Sequence, residues 1–234
     1  RILSPRHFTN KTKCGLKEPD QCVTLIRERW DENSPAISHL PKRHLANYPA
    51  LGGLSKRNML KKPFIEKLLE ERDKFELLLN RVGYTRRMTL KGVSGKWSIK
   101  DVLAHILSYE QYMADRMHEI INHEVYVPCK TQTALDAFVD AFGYPDFGSA
   151  LLDEDASNEW IVERYKNVSL DDVVTQELQA FASIISAFEQ MTQETIAKHN
   201  LNERIANHTF KHYRDHIKDI RAWLKTNAVN SKKP

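Results

Sequence analysis

Histidine is the residue type whose number and spacing in this chain point most directly to chemistry. Ten histidines occur among 234 residues, and two of them, His212 and His216, stand four residues apart. On an α-helix this separation is about one turn, so both imidazoles can reach the same ion. Neutral imidazole nitrogen is a common ligand of zinc and other first-row metals. The pair therefore predicts a metal site, and the alternative interpretation is a solvated helix surface.

The apolar pattern around each histidine predicts its direction. If Tyr213 marks the centre of the apolar face of its helix, His216 lies about 60° and His212 about 100° to one side, whereas His208 lies at about 140°. On an earlier helix, His105 lies about 100° from the centre of the apolar face. We predict that His105, His212 and His216 hold one ion at the edge of the core and leave a position open.

Other polar side chains share the helix edge that carries His105. Tyr109, Tyr112 and Arg116 follow it at helical spacing and are predicted to line a substrate pocket. The alternative interpretation makes the tyrosines packing residues and pairs Arg116 with a nearby carboxylate. Asp101 precedes His105 by one turn and is predicted to orient its ring as an outer hydrogen-bond partner.

Four long amphipathic helices must position these residues. Apolar spacing predicts them at about 63–82, 99–122, 170–192 and 202–226. Ser98 is a suitable N-cap, and Ser169 with Asp172 resembles a capping box. Short helices are predicted near 131–142 and 157–166, within a connection long enough to let the second and third long helices run parallel. We therefore predict an all-α four-helix bundle domain over residues 63–227.

Composition supports this fold and limits the classes of partner. Hydrophobic residues make up 41% of the chain, while 8 glycines and 9 prolines favour helices over strands and turns. No apolar run approaches the roughly 18 residues of a membrane helix, so no membrane partner is expected. Residues 1–62 hold 13 Lys and Arg against 5 Asp and Glu, whereas the remainder holds 22 against 26. The acidic balance of the helical domain argues against a broad nucleic-acid surface there.

Residues 1–58 are predicted to form a basic, largely irregular extension, because prolines interrupt the pattern repeatedly. The chain begins with Arg1, so we interpret it either as a fragment or processed product, or as a chain whose stretch before Met59 lies upstream of the natural start. One short helix is expected around residues 20–30, with Val23, Ile26 and Trp30 on one side. An alternative interpretation is a basic arm that contacts nucleic acid or an acidic partner.

Cysteine usage indicates a reducing compartment. The three cysteines are sparse and show no Cys-x-x-Cys spacing, so a cytoplasmic protein without disulfides is expected. A zinc site in the N-terminal segment is a weak alternative, because its cysteines are separated by seven residues. Its ligands would be Cys14, Cys22, His39 and His44.

Two stretches resemble the DinB-like superfamily, including its ClbS/DfsB-type members. One is WSIKDVLAHILSYE at residues 97–110, and the other is NHTFKHYRDHIKDIRAWL at residues 207–224. The shared features are a Trp-Ser start to the second helix, a histidine eight residues after that Trp, and a late His-x-x-x-His helix. The resemblance covers about residues 63–227. This chain departs from the usual pattern at His208, where an asparagine or small polar residue is expected.

The resemblance implies an up-down-down-up four-helix bundle of bacterial type that is often dimeric. It also implies a divalent metal on three histidines that correspond to His105, His212 and His216, and we expect zinc or nickel there. Characterised relatives include thiol-dependent transferases and isomerases that use small thiols, and hydrolases that protect the cell against a reactive natural product. The ClbS/DfsB branch does not always keep all three histidines.

Three functional hypotheses follow. The first is a metal-dependent enzyme that transfers a thiol to, or hydrolyses, a small electrophilic molecule in detoxification, with a low-molecular-weight thiol as a candidate cosubstrate. The second is a metal-free protective hydrolase or small-molecule binder of the ClbS/DfsB type. The third is a non-enzymatic interaction module that acts through the basic segment of residues 1–58.

Overall fold

A computed structural model describes residues 61–82 and 87–230, with side chains as far as residue 227. Expectations for residues 1–58 and Met59 lie outside these ranges. The described residues form eight α-helices and no strand; Ser94 and Trp97 make one isolated bridge. The helices are α1 (Lys62–Val82), α2 (Ile99–Ile121), α3 (Gln132–Phe142), α4 (Glu154–Tyr165), α5 (Leu170–Gln190), α6 (Gln193–Lys198), α7 (Leu201–His208) and α8 (Phe210–Asn230).

The helix starts follow the capping signals of the sequence. Ser98 accepts a hydrogen bond from the backbone N–H of Asp101, whose carboxylate accepts one from the Ser98 N–H, so a full capping box opens α2. Ser169 caps α5 by accepting from the Asp172 N–H. Each cap satisfies N–H groups that the first helical turn leaves without partners. The predicted all-helical class and the starts of both helices are therefore confirmed.

The last predicted helix, 202–226, is wrong as a single element. The chain leaves helical geometry at Thr209, where φ is −123° and ψ is −105°, and this residue separates α7 from α8. The buried Thr209 hydroxyl donates to the Ile205 carbonyl at 2.6 Å. Such hydrogen bonds to the preceding turn bend helices, and the β-branched side chain weakens helical preference further. The short helix α6 was also not predicted.

Helix α2 lies at the centre of the packing. It contacts α4, α5, α7 and α8, while α1 packs against α8. Its apolar side chains join those of α1, α5 and α8 in one core, for example Phe75, Ile106 and Ile184, which are fully buried. No helix of the described ranges is long and apolar enough to cross a membrane.

The core also contains a buried ionic cluster. The Arg72 guanidinium donates to both carboxylate oxygens of Glu177, to Glu76 at 2.8 Å and to the Tyr213 hydroxyl at 3.2 Å. Tyr213 in turn donates to Glu110, which is fully buried. Because these groups come from α1, α2, α5 and α8, the cluster fixes four helices relative to one another.

Candidate metal centre

Three histidine rings converge where α2 meets α8. The Nε2 atom of His212 lies 2.8 Å from Nε2 of His105 and 3.1 Å from Nε2 of His216. One nitrogen from each ring lies within 4.8 Å of the other two, close enough to bind a single metal ion. Nitrogens about 2.1 Å from a common ion are separated by roughly 3.0 to 3.4 Å. The two distances from His212 Nε2 are close to this range, whereas the ligand nitrogens of His105 and His216 lie within 4.8 Å of each other.

The proton inventory of these rings also favours a shared cation. A neutral imidazole nitrogen offers either one N–H or one lone pair. The central Nε2, that of His212, therefore cannot make two well-directed hydrogen bonds with the two nitrogens that face it. Three lone pairs directed at one cation would use all three nitrogens at once. The donor set thus fits a divalent ion such as zinc, and it does not discriminate among first-row metals.

The surroundings keep the three rings neutral. Burial, followed by the positive charge that His216 would carry, lowers the pKa of His105 to about 3. Burial and the neighbouring histidines hold the pKa of His212 well below its ordinary value. Burial also lowers the pKa of His216, against opposing effects of Asp219 and Asp215. Neutral rings keep the lone pairs that a metal ion requires.

Asp101 does not orient His105, contrary to the prediction. Its Oδ2 accepts hydrogen bonds from the backbone and hydroxyl of Ser98 and lies 2.5 Å from Lys91 Nζ. The Nδ1 atoms of His105 and His212 are buried and have no hydrogen-bond partner among the described residues. The capping box engages the Asp101 carboxylate because Ser98 lies three residues before it. Ring packing and, for His105, the nearby Asn158 side chain therefore orient the histidines.

Aromatic rings supply that packing. The ring of Trp97 lies 5.1 Å from that of His105, and the ring of Tyr109 lies 4.8 Å from those of both His105 and His212. Phe147, from the connection between α3 and α4, stacks on Tyr109 with ring centres 3.8 Å apart. Burial and then Glu154 raise the pKa of Tyr109 to about 12, so its hydroxyl stays protonated at neutral pH. The rings form an apolar wall beside the histidines.

Of the remaining predicted pocket residues, Tyr112 and Arg116 are both buried, and the Nε and Nη1 atoms of Arg116 have no hydrogen-bond partner among the described residues. The Arg116 guanidinium lies 2.5 Å from a Glu119 oxygen and 4.0 Å from the centre of the Tyr126 ring. It is 2% exposed, so it is not available to a ligand in this conformation. The ion pair with Glu119 is the arrangement that the alternative interpretation described, and a pocket role for Tyr112 and Arg116 stays a prediction.

His208 lies closer to the site than its helical angle predicted. Its ring centre is 5.7 Å from that of Tyr109 and 5.8 Å from that of Tyr112. Burial, and then Arg204, lowers its pKa to about 4. The break at Thr209 changes the direction of α7, so an angle computed on one straight helix placed His208 too far round. The β-branched Thr209, between His208 and His212, was the sequence signal available for this helix break.

No protein-family model matches this chain, and no curated protein matches it. Among solved structures, the chain is similar to an uncharacterised protein from Escherichia coli UTI89. The two share 14% sequence identity with a TM-score of 0.48, over 72% of this chain and 94% of that one.

Proposed function

We propose that this protein is a divalent-metal-dependent enzyme of the DinB-like superfamily that acts on a small electrophilic molecule. The observation that carries the proposal is the convergence of three neutral imidazoles, from His105, His212 and His216, at the edge of a helical core. A bound divalent ion would supply Lewis acidity there and lower the pKa of a water molecule or thiol beside it.

Contacts between the long helices support the proposed up-down-down-up order. They favour antiparallel α1 and α5, parallel α2 and α5, and antiparallel α2 and α8. For α1 and α5 the pairs are Phe64 with Phe188 and Arg72 with Glu177. For α2 and α5, Arg72 contacts both Glu110 and Glu177, and His118 contacts Ser183. For α2 and α8 the pairs are His105 with His216 and Tyr109 with His212.

The histidines, the aromatic residues and Tyr109 would each have a separate role at the site, and none of them would change its charge at neutral pH. The three histidines would hold the ion through Nε2. Trp97 and Phe147 would limit the access of bulk water and strengthen electrostatic interactions at the site. The protonated Tyr109 hydroxyl would be available to donate a hydrogen bond to a polar atom of the substrate. These features suit both thiol transfer and hydrolysis, and a low-molecular-weight thiol remains a candidate cosubstrate.

Metal content gives the first test. The purified full chain is stripped with a chelator, incubated separately with zinc and nickel salts, freed of unbound ion by gel filtration and analysed by elemental mass spectrometry. We expect about one ion per chain for the wild type and a negligible amount for His212→Ala/His216→Ala. The matched control is His123→Ala/His199→Ala, which removes two histidines outside the cluster and should retain the ion.

Equal, negligible metal in the wild type and in the His212/His216 variant would contradict the proposal. The metal-free hydrolase or binder would then become the better hypothesis for the same aromatic-walled site. Far-UV circular dichroism of each variant establishes that the fold is retained, so a loss of metal reports the site itself.

A further inference from the structure

Helix α3 carries an apolar face that the described part of the chain covers incompletely. Leu135 is its only buried residue, although the helix is rich in apolar side chains. Phe138 and Val139 are half-buried, and Phe142 is 49% exposed. An amphipathic helix is stable on a protein surface when its apolar face packs against another element. The exposed part of this face is therefore open to a further partner.

Beside this face, an open groove of about 310 Å³ lies between α3, α4 and the segment that joins them. Ligand pockets have volumes of about 300–1,000 Å³, so this groove lies at the lower end of that range. Apolar side chains form much of its surface: Leu135, Val139, Leu151, Leu152 and Trp160. Leu151 is 50% exposed, so the groove extends the uncovered apolar surface.

All the charged residues that line this groove are acidic. Asp136, Asp140, Asp146 and Asp153 line it, and no Lys, Arg or His does. Asp146 is fully buried and accepts hydrogen bonds from Tyr126 and from the Cys129 backbone, so it is already satisfied. The other three are exposed, and no ion pair within the described ranges involves them. An apolar floor with a purely acidic rim fits a basic, amphipathic segment.

We propose that this groove binds the chain's own N-terminal segment, residues 1–58. That segment holds 11 Lys and Arg against 5 Asp and Glu, the opposite balance to residues 63–234. Opposite charges attract effectively within a Debye length of about 10 Å. The rim aspartates together attract a basic segment that comes within this distance.

Residues 20–30 supply the apolar part of the match. Val23, Ile26 and Trp30 recur at the spacing by which a helix presents anchors to an apolar groove, and Arg27 and Arg29 stand among them. The 31-residue separation of Trp30 from Lys61 spans up to about 100 Å when extended, whereas the 21 residues of α1 measure about 32 Å. Chain length therefore does not prevent the segment from reaching the groove.

A second copy of the same surface is a poorer occupant. A two-fold contact would place the aspartate rim of one groove against the identical rim of the other. Like charges brought together at an interface cost several kcal/mol. The basic segment neutralises the rim instead, so charge favours it over self-association through α3.

Native cysteines allow a direct test on the full chain. Cys129 lies two residues before Thr131, the N-cap of α3, while Cys14 and Cys22 lie in the basic segment. A short bismaleimide is applied at low protein concentration, the monomer is isolated by gel filtration, and linked peptides are identified by mass spectrometry. We expect a link between Cys129 and Cys22 or Cys14 within one chain, with a yield that falls several-fold between about 0.05 M and about 0.5 M salt.

The variant Asp136→Asn/Asp140→Asn removes two rim charges, and we expect it to lower the yield of this link at least threefold. Its matched control is Glu66→Gln/Glu70→Gln, which removes two exposed charges one turn apart on α1 and should leave the yield unchanged. Circular dichroism verifies that both variants keep their helicity.

Three results would overturn the proposal. One is a link no more abundant in the folded chain than in the chain in denaturant. Another is an equal yield in the Asp136/Asp140 variant and the wild type. The third is a link found only in covalent dimers, which would assign the groove to the segment of a second copy.

Discussion

The Nε2 atoms of His105 on α2 and His212 on α8 lie 2.8 Å apart, although 107 residues separate them in the chain. Both rings are neutral near pH 7, because burial lowers the pKa of each. Their Nδ1 atoms have no hydrogen-bond partner among the described residues. Helix packing therefore brings these two nitrogens together, and the third ring, from His216, completes the ligand set.

The Arg72 cluster predicts a large loss of stability on truncation. Arg72→Met leaves Glu177 buried without its partner and removes the donor shared by Glu76 and Tyr213, so we expect a loss of about 3–5 kcal/mol in the free energy of unfolding. The exposed Arg81→Met on the same helix is the control and should change that free energy by less than about 0.5 kcal/mol. Urea denaturation followed by circular dichroism measures both, and equal effects would contradict a structural role for the cluster.

His208 predicts a pH dependence of stability. Its pKa falls from 6.5 to about 4 on folding, so below pH 6.5 the unfolded chain takes up this proton more readily than the folded chain. Stability should fall as the pH decreases from 6.5 towards 4, by up to about 3 kcal/mol from this group. His208→Gln should remove that contribution.

Urea midpoints of wild type and His208→Gln, measured with chelator between these pH values, provide the test. The chelator removes effects of metal release, and His105 is present in both proteins. His208 also contributes to the lowered pKa of His212, so the difference between the two proteins includes that effect. A difference between the two proteins that does not change with pH would refute the buried, neutral state assigned to His208.

Gly148 predicts a close approach between the α3–α4 connection and α2. A Cβ at this position would overlap the Tyr126 hydroxyl and lie 2.6 Å from that of Tyr112. Gly148→Ala should therefore lower the free energy of unfolding by about 1–3 kcal/mol. Adding Tyr126→Phe removes the overlapping oxygen and should make the alanine less costly than it is alone. Thermal denaturation of the two single variants and the double variant measures this coupling, and strictly additive effects would contradict the contact.

Local signals account for the parts of the fold that the sequence predicted well. Ser98 and Ser169 mark helix starts through hydrogen bonds that span three residues, and apolar periodicity marks the helix faces. The apolar periodicity continues through Thr209, so periodicity alone did not predict the break there, and the β-branched threonine was the local sequence signal. The prediction of one continuous helix placed His208 too far from the site. The relative positions of His212 and His216 were predicted correctly because both lie on α8.

The buried ionic cluster is a second feature that the sequence alone did not predict. Arg72, Glu110 and Glu177 lie on apolar helix faces; Arg72, for example, lies between Leu68 and Phe75. Charged residues are rarely fully buried without partners. Their partners are on other helices, so only the tertiary arrangement reveals the cluster. Charged residues at core-facing positions on three helices were the available signal.

The most direct test of the central claim is a crystal structure of the full chain loaded with zinc, with the ion located by anomalous scattering. The proposal predicts one anomalous peak between α2 and α8, with Nε2 of His105, His212 and His216 each about 2.0–2.2 Å from it. A stoichiometric zinc ion bound elsewhere, or a structure grown with zinc in which no ion lies among these three rings, would contradict it.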